Sequence, residues 1–333
     1  MNKKTILFVS YGGGHIHMVK PVAKYISKFE FFNVLILALP SALPNINSSD
    51  FEVITFRDLL EKNELDAIRW GTKIAENHHN TDSKIDLKES IAYLGLSFKD
   101  LVDKIGLEKA KRKFKSLKRH AFHQTTIVRR AILIYKPDFI VTTNSPRAES
   151  ASIEEGILLN IPTLSMSDLF LGMNNYVLKA NHLTYLNEYA FKVNMQAGLV
   201  NPQKSEIHLV GNPAFDDLLI KNYKKDSLFK SQLSKQLLYK KSILHIHSHS
   251  WVDPKNGSTY QSKESLNEEL SIIYNSCKAN KVNLLIRPHP SENINIFKKF
   301  VKNNPGSYLA YKYSLKELLN FAEIIIVRSS TVA

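Results

Sequence analysis

Short apolar runs alternate along this chain with longer stretches whose apolar residues recur at helical spacing. The runs at 5–10 (Thr5-Ile6-Leu7-Phe8-Val9-Ser10), 33–39, 52–56, 139–143 and 163–167 predict strands. Residues 57–135 form a long, charged, helix-patterned segment without strand signals. From Asp138 to Pro162 the pattern repeats: a strand, a polar turn, a helix through Glu155, then Ile161-Pro162 opening another strand. Further strand-like segments follow at 182–189 and 206–210. Gly211-Asn212-Pro213 then breaks the chain ahead of a short helix at 216–220. After a lysine-rich polar stretch the alternation restarts, with strands at 242–247, 282–286 and 323–327 and helices at 266–279 and 294–302.

Strand, helix, strand in steady alternation predicts parallel sheets covered by helices on both faces. The expected architecture is α/β, with two doubly wound, Rossmann-like domains facing across a cleft. The boundaries read as 1–220 for the first domain, 221–240 for the connection and 241–333 for the second. Ile324-Ile325-Ile326-Val327 followed by Arg328-Ser329-Ser330-Thr331 announces a strand and a helix cap just before the chain stops at Ala333. The second domain is therefore expected to be C-terminally truncated.

With 44% apolar residues over 333 positions, the chain can bury full cores in about two domains. Its single cysteine, Cys277, excludes a disulfide framework and fits a reducing compartment. The opening apolar run is too short for a signal peptide or a membrane span, so the expected location is cytoplasmic. Net charge is +14, and much of the excess lies between Lys104 and Arg119. Interleaved there with Leu101, Val102, Ile105, Leu107, Phe114 and Leu117, the cations predict a basic amphipathic helix or helix pair across residues 101–119. Such an element either rests on an anionic membrane surface, here the inner face, or is a solvated helix with its apolar side in the core. No nucleic-acid-binding motif accompanies the charge.

Six polar clusters each follow a predicted strand, where doubly wound sheets place ligands. In the first domain they are Gly12-Gly13-Gly14-His15, Asn144-Ser145-Pro146-Arg147-Ala148-Glu149 and Ser167-Asp168. In the second they are His247-Ser248-His249-Ser250, Arg287-Pro288-His289-Pro290 and Arg328-Ser329-Ser330-Thr331. The first cluster lacks the G-x-G-x-x-G dinucleotide spacing, but its glycines permit a tight turn and close ligand approach ahead of a helix N-terminus. Arg287 and Arg328 suit phosphate oxygens, and Ser329, Ser330 and Thr331 add hydroxyls at a helix start. A zinc site from His245, His247, His249 and His289 is disfavoured. His245 and His247 would share a strand face, His289 lies elsewhere, and no carboxylate is evident beside them.

Tyr11-Gly12-Gly13-Gly14-His15 with Pro21, and Val210-Gly211-Asn212-Pro213 with Asp216, resemble the GT-B glycosyltransferase superfamily, which includes UDP-N-acetylglucosamine 2-epimerases. Arg287-Pro288-His289-Pro290 and Arg328-Ser329-Ser330-Thr331 resemble the HP and SS motifs of GT-B bacterial sialyltransferases and teichoic acid glycerophosphotransferases. The resemblance implies an acceptor-binding first domain, with Gly13, Gly14, Asn144 and Arg147 at the acceptor. It also implies a second domain that binds a nucleotide-sugar through Arg287, His289, Arg328, Ser329, Ser330, Thr331, His247 and His249. His15 would be the general base of an inverting, metal-independent transfer, with Asp168 the rival base and Glu149 a weaker one. The nucleotide-sugar is a substrate, so no cofactor is implied, and the acceptor would be a surface glycan or lipid-linked. A 2-epimerase or hydrolase on the same scaffold, and a non-catalytic binder of anionic polymer or membrane, are the competing readings.

Overall fold

The computed structural model describes residues 3–47, 51–78, 85–168, 179–216, 233–247, 263–289 and 292–327. The chain divides into two compact units, Met1–Asp217 and Leu218–Ala333. Arg328, Ser329, Ser330, Thr331 and His249 lie outside the described residues.

The described residues of the first unit form seven parallel strands in the order β3-β2-β1-β4-β5-β6-β7. They are β1 (Lys4–Ser10), β2 (Phe32–Ala38), β3 (Glu52–Ile54), β4 (Phe139–Thr143), β5 (Thr163–Met166), β6 (His182–Tyr185) and β7 (Glu206–Leu209). Alternate residues of each central strand enter different cores. Leu7, Val9, Leu35 and Leu37 join one apolar cluster, and Ile6, Phe8, Val34 and Ile36 join the other. Near-continuous apolar runs are what a parallel sheet covered on both faces requires. One cover is α1 (Gly14–Ile26). The opposite cover includes α2 (Phe56–Leu59), α3 (Leu65–His78), α4 (Leu87–Ile105), α5 (Leu107–Leu117), α6 (Thr125–Tyr135) and α7 (Ala148–Leu158). Arg130 on α6 forks onto both oxygens of Glu64 at 2.7 and 2.8 Å, tying α6 to the start of α3.

Two strand expectations run too long, for one reason: a side-chain cap turns the chain into a helix. Thr55 accepts from the Asp58 amide in a capping box and starts α2, so β3 stops at Ile54. Asn187 accepts from the Ala190 amide and starts α8 (Glu188–Gln196), which ends β6 at Tyr185. The basic stretch 101–119 is a helix pair broken at Gly106, the last turn of α4 followed by α5.

The described residues of the second unit form four parallel strands in the order β10-β9-β8-β11: β8 (Lys241–Ile246), β9 (Val282–Arg287), β10 (Ser307–Leu309) and β11 (Ile324–Val327). Its described helices are α9 (Lys263–Ala279), α10 (Ile294–Asn303) and α11 (Leu315–Phe321). Of the lysine-rich 221–240 stretch, residues 233–240 are described, and Leu233 and Leu237 pack in this unit's core. Among the described residues no helix is long and apolar enough to cross a membrane.

Candidate functional site

In the first unit the chain runs from β1 outward through β2 to β3, then returns to β4 on the other side of β1. The β1–β4 boundary is thus a topological switch point, where loops leave the two strand ends in opposite directions and open a crevice. The three polar clusters expected in this domain follow β1, β4 and β5, which are adjacent in the sheet.

The turn after β1 is shaped by two glycines with different tasks. A Cβ on Gly12 would meet the Ser41 carbonyl oxygen at 2.3 Å, so only glycine fits there, and its amide donates to Ser41 Oγ at 3.1 Å. Gly13 caps α1 at φ +64°, a left-handed conformation that residues with a Cβ adopt at a penalty. No side chain caps this helix start. His15, in the first turn, is thereby placed over the end of β4, where its Nδ1 and Thr143 Oγ1 share a hydrogen bond at 2.8 Å. The same nitrogen lies 3.6 Å from Asp168 Oδ2, and the two side chains retain 22% and 12% exposure. Enough of the imidazole is open for a ligand to reach it, and enough is enclosed to fix its position.

Around this histidine the polar clusters interlock. Glu149, fully buried at the start of α7, accepts from the Tyr11 amide through Oε1 at 2.6 Å. The Arg147 guanidinium stacks over the Tyr11 ring at 4.2 Å, and Tyr11 meets His15 edge-on with ring centroids 6.0 Å apart. Asn144 Oδ1, Arg147 Nε, Glu149 Oε2 and Asp168 Oδ1 are buried without hydrogen-bond partners among the described residues. Native proteins leave few such groups, and four at adjacent strand ends mark a place organised for a polar ligand. The structure therefore brings together His15, Gly13, Gly14, Asn144, Arg147, Glu149 and Asp168. Thr143 and Ser41 went unnoticed in the sequence. The first sits inside a strand and the second in a separate loop, and only the β1–β4 pairing and the Gly12 contact reveal them.

In the second unit the expected donor residues have different surroundings. Arg287 ends β9 with its guanidinium donating to the Tyr313 carbonyl, and burial pulls its pKa below the usual arginine value. His289 is exposed. His247 is buried, its ring 5.4 Å from Phe297 and 6.0 Å from His245, because both histidines project from one face of β8. The expectation that no carboxylate accompanies them is corrected by Glu269 on α9, whose Oε1 lies 3.5 Å from His245 Nε2. Helical winding, invisible in a strand-centred reading, turns Glu269 toward the sheet. Burial pushes the His245 pKa down to about 4, only partly offset by the Glu269 charge.

No protein-family model and no curated protein matches the chain. Solved structures do. S. aureus MnaA in a UDP co-structure aligns over 99% of this chain and 75% of its own, at 10% identity and a TM-score of 0.55. The N. meningitidis UDP-GlcNAc 2-epimerase bound to UDP-GlcNAc aligns over 98% and 78%, at 14% identity and a TM-score of 0.55. The chain shares the fold of these proteins. The M. jannaschii UDP-GlcNAc 2-epimerase, over 98% and 79% at 14% identity and a TM-score of 0.52, has it too. At such identities the likeness concerns architecture, and side-chain chemistry must be argued from this chain's own residues.

Proposed function

We propose that the protein is a nucleotide-sugar-dependent glycosyltransferase with His15 as general base. The observation that carries this reading is the His15–Thr143–Asp168 arrangement at the β1–β4 switch point, surrounded by buried polar atoms without partners. With Nδ1–H donating to Thr143 and facing Asp168, Nε2 is the nitrogen left to take a proton from an acceptor hydroxyl. Asp168 then balances the imidazolium as it forms, acting through His15 rather than as the base itself. Attack by that hydroxyl on the anomeric carbon breaks the bond to the diphosphate. With the base opposite the leaving group, the configuration inverts. Arg147 and Asn144 offer a donor and an acceptor to sugar hydroxyls.

On this reading the second unit holds the donor. Arg287 and His289, with Arg328, Ser329, Ser330, Thr331 and His249 beyond the described residues, would meet the diphosphate without a metal. The fold shared with proteins solved with UDP and UDP-GlcNAc supports a uridine nucleotide. A lipid-linked or surface-glycan acceptor would suit a groove of about 690 Å³ between α3, α4 and α5. Trp70, Ile74, Phe98 and Phe114 line it with apolar surface, while Arg69, Lys73, Lys111, Lys115 and Lys118 add positive charge, suiting an anionic amphiphile or membrane surface.

The second reading is a 2-epimerase or hydrolase, favoured by that same shared fold and by two carboxylates, Glu149 and Asp168, beside one histidine. The test is phosphorus and proton NMR of the protein with UDP-, CMP-, GDP- and CDP-sugars, with and without lipid-linked glycan acceptors. Nucleotide release that requires acceptor supports transfer. Release of free or epimerised sugar without acceptor supports the second reading, and no turnover of any donor overturns both.

A further inference from the structure

Four chemistry-bearing side chains of the second unit converge beneath α9 and α10; only His247 was among the expected donor residues, and its ring is buried against Phe297. One ring nitrogen each of His245 and His247 and a Glu269 carboxylate oxygen all lie within 4.8 Å of one another. A second carboxylate, Glu292 Oε1 just ahead of α10, stands 3.9 Å from His247 Nε2. The His245 side chain is 1% exposed, and apart from the nearby Ile326 backbone neither ring nitrogen has a hydrogen-bond partner of good geometry. A buried imidazole in that condition is unfavourable unless something else engages it.

We infer that His245, His247, Glu269 and Glu292 form a structural site for a divalent transition-metal cation such as zinc. Two imidazoles and two carboxylates are ordinary zinc ligands, and donor atoms about 2.0–2.1 Å from a tetrahedral ion lie roughly 3.4 Å apart. The His245–Glu269 separation of 3.5 Å already matches that edge, while Glu292, 3.9 Å from His247 but outside the group whose atoms all lie within 4.8 Å, must turn inward to serve as the fourth ligand. The ligands come from β8, α9 and the approach to α10, so the ion cross-links three elements of a unit with a four-stranded sheet. With Glu292 turned in, four protein ligands fill the tetrahedron, which assigns the ion to stability rather than to water activation. The other histidine cluster, His182, Glu206 and His208, differs. It is partly exposed, and its members satisfy one another, with His182 Nδ1 3.3 Å from both Glu206 Oε2 and His208 Nε2. It serves as the internal control.

The test uses the full chain stripped with chelator, then titrated with cobalt(II) and zinc(II). Expected are intense tetrahedral cobalt bands at one equivalent, displacement by zinc, and a zinc-induced rise in Tm on the order of 5 °C. Glu269→Gln, which keeps the side-chain shape, weakens binding at least tenfold, and His245→Ala abolishes the bands. His182→Ala leaves them unchanged. Weak octahedral bands only, no Tm rise, or binding lost with His182→Ala and kept with Glu269→Gln would overturn the assignment. The readout involves no nucleotide-sugar, so it stands or falls separately from the proposed transfer reaction.

Discussion

His15 and His245 set two uses of one side chain against each other. His15 keeps 22% of its side chain open and shares one nitrogen between a hydroxyl and a carboxylate. His245 is closed off at 1% exposure, with Glu269 3.5 Å away. Both lie close to the C-terminal end of the first parallel strand of their unit, His15 just past β1 and His245 within β8, so topology alone does not separate them. What separates them is the chain that follows. Gly12 and Gly13 let α1 begin close to the sheet and hold His15 at its rim. Residues 245 and 247, still within or just after the strand, are held on its face beneath α9 and α10. An open, oriented imidazole can exchange protons with a ligand. A closed one is suited to holding structure.

The sharpest way to break this contrast is His15→Ala. On the proposed reaction it lowers kcat/KM by about a hundredfold or more while Tm moves by no more than about 2 °C, measured by nucleotide release and differential scanning fluorimetry. Unchanged kinetics would make His15 a packing residue like its counterpart. Gly12→Ala sharpens the role of the turn. Its methyl would collide with the Ser41 backbone, so the loop must shift, with Tm falling by roughly 4–8 °C and turnover by about tenfold. Wild-type behaviour of that variant would mean that the turn does not position His15.

Glu64 supplies the smallest effect and a reference that belongs to neither histidine site. Burial pushes its carboxyl up, but the Arg130 hydrogen bonds, the Glu61 amide and the charges of Arg130 and Lys99 more than reverse this, leaving it below the usual glutamate value. A depressed carboxylate pKa contributes stability that is present above the unfolded value near 4.5 and is lost as pH falls through the folded value. Glu64→Gln should therefore lower stability at pH 7 by about 1 kcal/mol, an amount limited by solvent screening, and flatten the acid limb of a urea-unfolding series. An unaltered acid limb would show that the pair is energetically silent.

Much of the fold was legible because parallel strands are apolar runs punctuated by polar turns, as at 5–10 and 139–143. Shorter elements were not. β10 has three residues and no alternation to detect, whereas the Ser314–Glu317 capping box ahead of α11 was a readable signal left unused. His15 stood out because its glycines are local in sequence. Thr143 and Glu269 did not, since their partners are distant in sequence, His15 by 128 positions for Thr143 and His245 by a turn-dependent helix register for Glu269.

A double-mutant cycle on His15 and Asp168 tests the central claim most directly, because a carboxylate that works through the imidazole has nothing to do once the ring is gone. With nucleotide release as readout, Asp168→Asn alone should lose about tenfold, His15→Ala about a hundredfold, and the double variant no more than His15→Ala. Losses that multiply to about a thousandfold would contradict the account and make Asp168 an independent actor.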